Sequence, residues 1–217
     1  MKPILFNTDM VLAILDGRKT QTRRVVKPRH GGHLELHDDV GGVTRLCERD
    51  GPLCRGLKPP YEPGDILWVR ETWCANNNPH SDNCGGFEYR ADYEGALCQD
   101  LISWHPSIHM PRKAARIFLR VKEVFPERLQ EIDGAGLLKE GISRSLLFDG
   151  PVRRAFDEFQ RLWDSTIRQA RRAAEGWAAD PWVWVICFER CLASDIELFE
   201  ILEAAEAIVP AEGGGEK

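Results

Sequence analysis

The stretch Gly17-Arg18-Lys19-Thr20-Gln21-Thr22-Arg23-Arg24 stands between a helical pattern and an extended one. Upstream, Val11, Ile14 and Leu15 recur at helical spacing after Asn7 or Thr8, either of which can cap a helix. Glycine just past the last apolar residue is a common helix stop, so Gly17 predicts that the chain turns away there. An extended segment after that turn puts Thr20 and Thr22 on one face, with Lys19, Gln21 and Arg23 on the other. Lys19, Thr20 and Thr22 are then expected to face a cleft. Like charge from Arg18, Arg23 and Arg24 disfavours the protonated amine, so Lys19 is pushed toward its neutral, basic form. The same basic turn also suits a solvated surface or a patch that touches phosphates.

Composition limits what can surround this turn. With 217 residues, 43% of them hydrophobic and seven of them tryptophan, the chain can build a real core. That length suits one domain with insertions, or at most two small ones. No apolar run approaches the roughly 20 residues of a membrane span, and Met1 to Phe6 is too short for a signal peptide. A soluble cytoplasmic protein without a membrane partner is expected. The net charge of -5 is unevenly spread. From Cys191 onward, Asp195, Glu197, Glu200, Glu203, Glu206, Glu212 and Glu216 face Lys217 alone, which marks 191–217 as an acidic tail. The remaining body, 1–190, is near neutral and has basic clusters at Arg18 to Arg29, Arg112 to Lys122 and Arg153 to Arg172. Such clusters permit a nucleic acid or nucleotide partner without requiring one. Seven cysteines is an odd number, and the Cys47/Cys54 and Cys74/Cys84 intervals are wider than a zinc knuckle's. His30, His33 and His37 are interrupted by Gly31-Gly32, which works against a helix that would align them. No metal or other cofactor is expected.

The rest of the chain reads in order. Ile4 to Phe6 is a short strand. Lys27 to Pro60 lacks periodicity and is expected to be a surface insertion, a small hairpin at most. Pro63-Gly64-Asp65 is a turn that launches a strand from Ile66 to Trp73, in which Arg70 and Glu71 point to opposite sides. Ala75 to Pro111 is a second irregular insertion. Its Phe87, Tyr89, Tyr93 and Trp104 suit either base stacking or packing beneath the loop. From Ala115 to Phe125 the sequence alternates, with Ile117, Leu119 and Val121 facing inward and Arg116, Arg120 and Lys122 outward. Leu129 to Ile132 and Leu137 to Gly141 suggest short helical turns, with Glu140 immediately before Gly141. Val152, Ala155, Phe156, Phe159, Leu162 and Trp163 define an amphipathic helix that reaches about residue 172. Pro181 to Glu189 is apolar on both faces, the signature of a central strand. The acidic tail carries a faint peripheral helix around Ile196 and Phe199.

This order of elements resembles the ASCH domain family, and more closely its phage-related bacterial branch. The stretches that carry the resemblance are Lys2-Pro3-Ile4-Leu5-Phe6-Asn7, Asp16 to Arg24, Pro63 to Trp73, His109-Met110-Pro111-Arg112, and Asp180-Pro181-Trp182-Val183-Trp184-Val185. The resemblance implies an α+β fold: a PUA-like mixed β-barrel decorated by helices, here with loop-rich insertions at about 27–60 and 75–111. It implies a partner that is RNA or a modified nucleoside. Small bacterial members similar to this chain hydrolyse the acyl amide of N4-acetylcytidine with a lysine, a threonine and a glutamate. Carried over by motif, these are Lys19, Thr22 and Glu140. Either Thr22 attacks or it holds the water that does. Lys19 takes the proton, and Glu140 orients Lys19 or passes a proton to the leaving amine. Arg18, Arg23, Arg24, Arg70 and Glu71 are the candidates for binding the substrate. A nucleic-acid-binding module without chemistry is the alternative.

Overall fold

The computed structural model describes residues 1–38, 44–76, 86–93, 95, 102–149, 151–192, 194–197 and 199. Strand β1 (Lys2–Leu5) leads into helix α1 (Thr8–Leu15). Asn7 caps that helix by accepting a hydrogen bond from the Met10 N–H at 2.9 Å. Gly17, at φ 72°, ends it in the left-handed region that glycine tolerates. The chain returns as β2 (Gln21–Val25). The first insertion builds a three-stranded antiparallel sheet from β3 (His33–Asp38), β4 (Thr44–Asp50) and β5 (Leu53–Gly56). It is larger than the expected hairpin, and it is docked on the body. Leu46 joins Val26 and Trp184 in a buried cluster, and Trp182 Nε1 donates to the Leu34 carbonyl at 3.1 Å.

Strand β6 (Ile66–Arg70) is followed by a short hairpin of β7 (Trp73–Ala75) and β8 (Phe87–Tyr89). Then come β9 (Phe118–Arg128), α2 (Gly134–Lys139), α3 (Arg144–Phe148), α4 (Arg153–Thr166), α5 (Arg172–Glu175) and β10 (Trp182–Arg190). The main sheet has the order β1-β6-β9-β10-β2. Only the β1–β6 pair is parallel.

Strand β10 lies between β9 and β2, and both of its faces are covered. Ile186 and Phe188 pack with Val11 and Ile14 of α1 and with Leu67 and Val69 of β6. Val183 and Val185 pack on the opposite side against Leu137 of α2 and Ala155, Phe159 and Trp163 of α4. Each such aliphatic side chain contributes roughly 1.5–3 kcal/mol by leaving water. The alternation of β9 holds through Val121 and then resets. Cys187 faces Glu123 while Phe188 faces Val121, so one extra residue is accommodated. Val124 thereby rejoins the side held by Leu119 and Val121.

The strand expected from Ile66 to Trp73 ends at Arg70, and Trp73 opens β7; two further expectations need correction. The sheet is mixed and accompanied by helices, but it does not close into a barrel, because β1 and β2 remain its two edges. At one end the edges are bridged by a side chain: Arg24 Nη2 on β2 donates to the Leu5 carbonyl on β1 at 2.9 Å. Helix α4 also stops before residue 172. The Ser165 and Thr166 hydroxyls donate to the Leu162 and Trp163 carbonyls at 2.6 and 2.7 Å, and Ile167 is extended. Among the described residues no helix is long and apolar enough to cross a membrane. The helix expected in the acidic tail falls largely outside the described residues.

Candidate functional site

The turn at 17–24 lies where the sheet's two edges converge. After Gly17 the Arg18 and Lys19 N–H groups both donate to the Ala13 carbonyl, at 2.8 and 2.9 Å, fixing the reversal against the end of α1. Thr20 then bonds in both directions. Its N–H donates to the Lys139 carbonyl at 2.8 Å, and its carbonyl accepts from the Phe188 N–H at 2.9 Å. The turn is thus stitched to α2 on one side and β10 on the other. The Thr20 side chain is exposed, unlike that of Thr22, so the pair does not share the cleft.

Glu140 reaches the same place from α2. Asp133 caps that helix by accepting from the Gly136 N–H at 2.6 Å, and Glu140 ends it. Gly141, at φ 99°, turns the chain directly afterwards. A side chain there would come within 2.9 Å of the Ala13 Cβ and 3.3 Å of the Lys19 Cβ. Arg18 Nη1 donates to the Gly141 carbonyl at 2.7 Å and secures the turn from outside.

The result is a buried ionic cluster. The Lys19 Nζ donates to Glu140 Oε2 and, at 3.0 Å, to the Glu140 carbonyl. The Lys19 side chain is 0% exposed and that of Glu140 is 5% exposed. Arg23 donates through Nη1 to Glu140 Oε1 at 2.9 Å and through Nε to Glu127 Oε1 at 2.7 Å. Arg24 Nη1 donates to the Thr22 hydroxyl at 2.7 Å. Lys19 Nζ and Arg24 Cζ lie 5.8 and 5.3 Å from the Phe6 ring centre. Three cations, Lys19, Arg23 and Arg24, therefore face two carboxylates, Glu127 and Glu140. Burial pushes the Lys19 amine below its ordinary value. Glu140 opposes that shift by charge and hydrogen bond, and Arg24 and Arg23 add to it. Burial likewise pushes the Glu127 carboxyl up, against the pull of Arg23.

Thr22, Arg23, Arg24 and Glu140 line a cleft of about 970 Å³ together with Phe6 and Tyr61, whereas Lys19, expected to face it, is fully buried and is not among its lining residues, nor is Glu127. The remaining candidates for substrate binding engage elsewhere. Arg18 is exposed and pairs with Asp16 at 3.0 Å. Arg70 lies over the Trp68 ring and donates to the Ile108 carbonyl. Glu71 is buried in a two-pronged pair with Arg116, at 2.9 and 3.0 Å, and burial pushes its carboxyl up. None of the three lines the cleft. Sequence reasoning missed Glu127, whose partner Arg23 lies 104 positions away, and Phe6, which reads as strand core. It also assigned no role to Lys27, Arg29 and Lys58, which line the cleft as well. The first two fall inside the basic cluster visible in the sequence.

A carboxylate that holds a lysine and a hydroxyl bound to a guanidinium, both lining one cleft, can move a proton and steady a developing negative oxygen. Among the described residues, no group of three His, Cys, Asp or Glu is placed to hold a metal ion. No family model matches this chain, and no curated protein or solved structure is significantly similar to it.

Proposed function

We propose that the protein is an amidohydrolase that removes the acyl group from an N4-acetylcytidine-like nucleoside, on a PUA-like scaffold of the ASCH kind left open at one seam. The observation that carries this reading is the buried Lys19–Glu140 contact beside a cleft lined by Thr22 and Arg24. Amide hydrolysis needs a base, a positioned nucleophile and a donor for the oxyanion. The Thr22 hydroxyl accepts from Arg24, which leaves its own proton free to orient the attacking water. Glu140, which lines the cleft, takes a proton from that water and passes it to the neutral Lys19 amine bonded to it, as oxygen bonds to the acyl carbon. The Arg24 guanidinium stabilises the negative oxygen that forms. Glu140, bonded to Lys19, returns the proton to the departing nitrogen as the carbon–nitrogen bond breaks. One water is consumed, and the products are the free exocyclic amine and the carboxylic acid.

The test is chromatographic: the full chain is incubated with N4-acetylcytidine, and cytidine and acetate are followed. Turnover is expected, with Lys19→Ala, Thr22→Ala and Glu140→Gln each lowering kcat/KM by about 10²- to 10⁴-fold. A folded wild-type protein that leaves a panel of N-acylated nucleosides intact overturns the hydrolase reading. A binding module would then be the better account.

A further inference from the structure

Three cations on the wall of the cleft have no role in the chemistry above. Lys27, Arg29 and Lys58 line it, and none of their side chains forms an ion pair or hydrogen bond among the described residues. The acids on the wall are already engaged: Glu140 by Lys19 and Arg23, and Glu175 by Arg171 at 2.5 Å. The free charge presented to a ligand there is therefore positive.

The three side chains are exposed, but the backbone that carries them is held in place. Lys27 follows Val26 and Lys58 follows Leu57, and both of those apolar residues belong to the cluster around Leu46 and Trp184. The Leu57 N–H donates to the Leu46 carbonyl at 2.9 Å, and the Val26 N–H to the Trp182 carbonyl at 2.9 Å. Buried Glu48 pins the neighbouring loop by accepting the backbone N–H groups of Arg29, His30 and Gly32, at 2.9, 2.7 and 2.8 Å. Its charge is spent on those amides. Both segments that carry the cations are thus anchored through their apolar neighbours to the cluster around Leu46 and Trp184.

Lys27 stands five positions beyond Thr22, or roughly 17 Å of extended chain. Both line one cleft, whose volume is near the top of the roughly 300–1,000 Å³ common for small-molecule sites. We infer that Lys27, Arg29 and Lys58 form a phosphate subsite, and that the cleft takes its nucleoside in phosphorylated form. This rests on the cleft being the substrate site, but not on the hydrolysis. The phosphate can come from a nucleotide monophosphate or from the next linkage of an RNA strand, since both present the same anionic oxygens.

The experiment measures equilibrium binding by calorimetry, using cytidine, cytidine 5′-monophosphate and a short cytidine-containing single-stranded RNA. A phosphorylated probe is expected to bind at least about tenfold tighter than cytidine, and the Lys27→Ala/Lys58→Ala variant is expected to lose that preference while keeping its thermal midpoint. If only the RNA gains affinity, with a salt dependence that weakens by roughly 0.7 in log–log slope per cation removed, the phosphate is that of a linkage. If the monophosphate gains fully, it is a terminal one. Equal affinity for all three probes, or a preference that survives in the variant, overturns the inference. Because the probes carry no acyl group, a phosphate preference without any deacetylation sinks the hydrolase reading alone, and deacetylation without a preference sinks this one alone.

Discussion

Replacing Glu140 by glutamine removes one carboxylate from a cluster that already has more cations than anions. Arg23 keeps Glu127, but Lys19 is left with the backbone carbonyl at position 140 as its hydrogen-bond acceptor. Removing one partner of a buried pair costs about 3–5 kcal/mol, because the other charge stays buried without compensation. For a chain of this length about 1 kcal/mol moves the melting midpoint by roughly 2–4 °C, so a fall of about 6–20 °C is expected. The loss depends on pH. Lys19 already holds its proton less tightly in the folded chain than in the unfolded one, where 10.5 is its ordinary value. Losing Glu140 widens that difference. The unfolded chain then binds more protons across the window between the two values, so stability rises with pH there. The assay is thermal melting of wild type, Glu140→Gln, Lys19→Met and the double variant, between about pH 6 and about pH 9. The Glu140→Gln deficit should shrink as pH rises, and the double variant should melt above Glu140→Gln, since it no longer buries an unpaired amine. A deficit that does not change with pH, or losses that simply add, would show that Lys19 and Glu140 are not coupled.

Other consequences follow from the same contacts. If a neutral Lys19 takes the proton from Glu140, kcat/KM should rise with pH through an inflection below the ordinary lysine value. Glu127→Gln should shift that inflection lower still by removing negative charge from Arg23, and a stationary inflection would separate Glu127 from the site. Gly141→Ala forces a side chain into the left-handed region and against Ala13 and Lys19. A loss of about 1–3 kcal/mol is expected from chemical denaturation, together with reduced turnover, and wild-type values for both would refute the role given to that turn. Glu48 sits below its ordinary value: burial raises it, but the amides of Gly32, Arg29 and His30 lower it further. Its contribution is present above the unfolded carboxylate value of 4.5 and lost as pH falls through the folded one. Glu48→Gln should therefore speed hydrogen exchange at the Arg29, His30 and Gly32 amides at neutral pH, and unchanged exchange would count against it.

What the sequence reveals here is what local physics dictates. Asn7, the Val11/Ile14 spacing and Gly17 define α1, because capping, periodicity and a left-handed stop all act within a few residues. Strand β10 is legible because apolar residues on both faces leave it only a central place. The meeting of Lys19 with Glu140, 121 positions apart, depends on the path of the intervening sheet and has no local signature. Only the motif resemblance pairs them. Barrel closure is equally non-local: it turns on whether the ladders of β1 and β2 meet, and here the Arg24 side chain takes the place of backbone pairing. Arg70 and Glu71 look available in the sequence because, as neighbours in an extended segment, they point to opposite sides and do not pair with each other. Ile108 and Arg116, which engage them, arrive from distant parts of the chain.

The cluster's charge balance explains why a lysine, and not a third arginine, stands at position 19. With every group ionised, three cations confront two carboxylates in a largely buried volume, which leaves one positive charge without compensation. Guanidinium groups do not release protons in proteins, so Arg23 and Arg24 cannot relieve the excess. Lys19 can, and doing so makes the cluster neutral and leaves a free amine bonded to Glu140. Stability and basicity therefore pull the same way: the state that removes the buried excess charge is also the state able to accept a proton from a bound nucleophile through Glu140. When the amine takes that proton, Glu140 is already in contact with it, so the charge that appears is paired as it forms. Lys19→Arg should for this reason be both less stable and inactive, because it fixes the excess positive charge permanently in the buried cluster, and a variant that melts and turns over like the wild type would refute the charge argument.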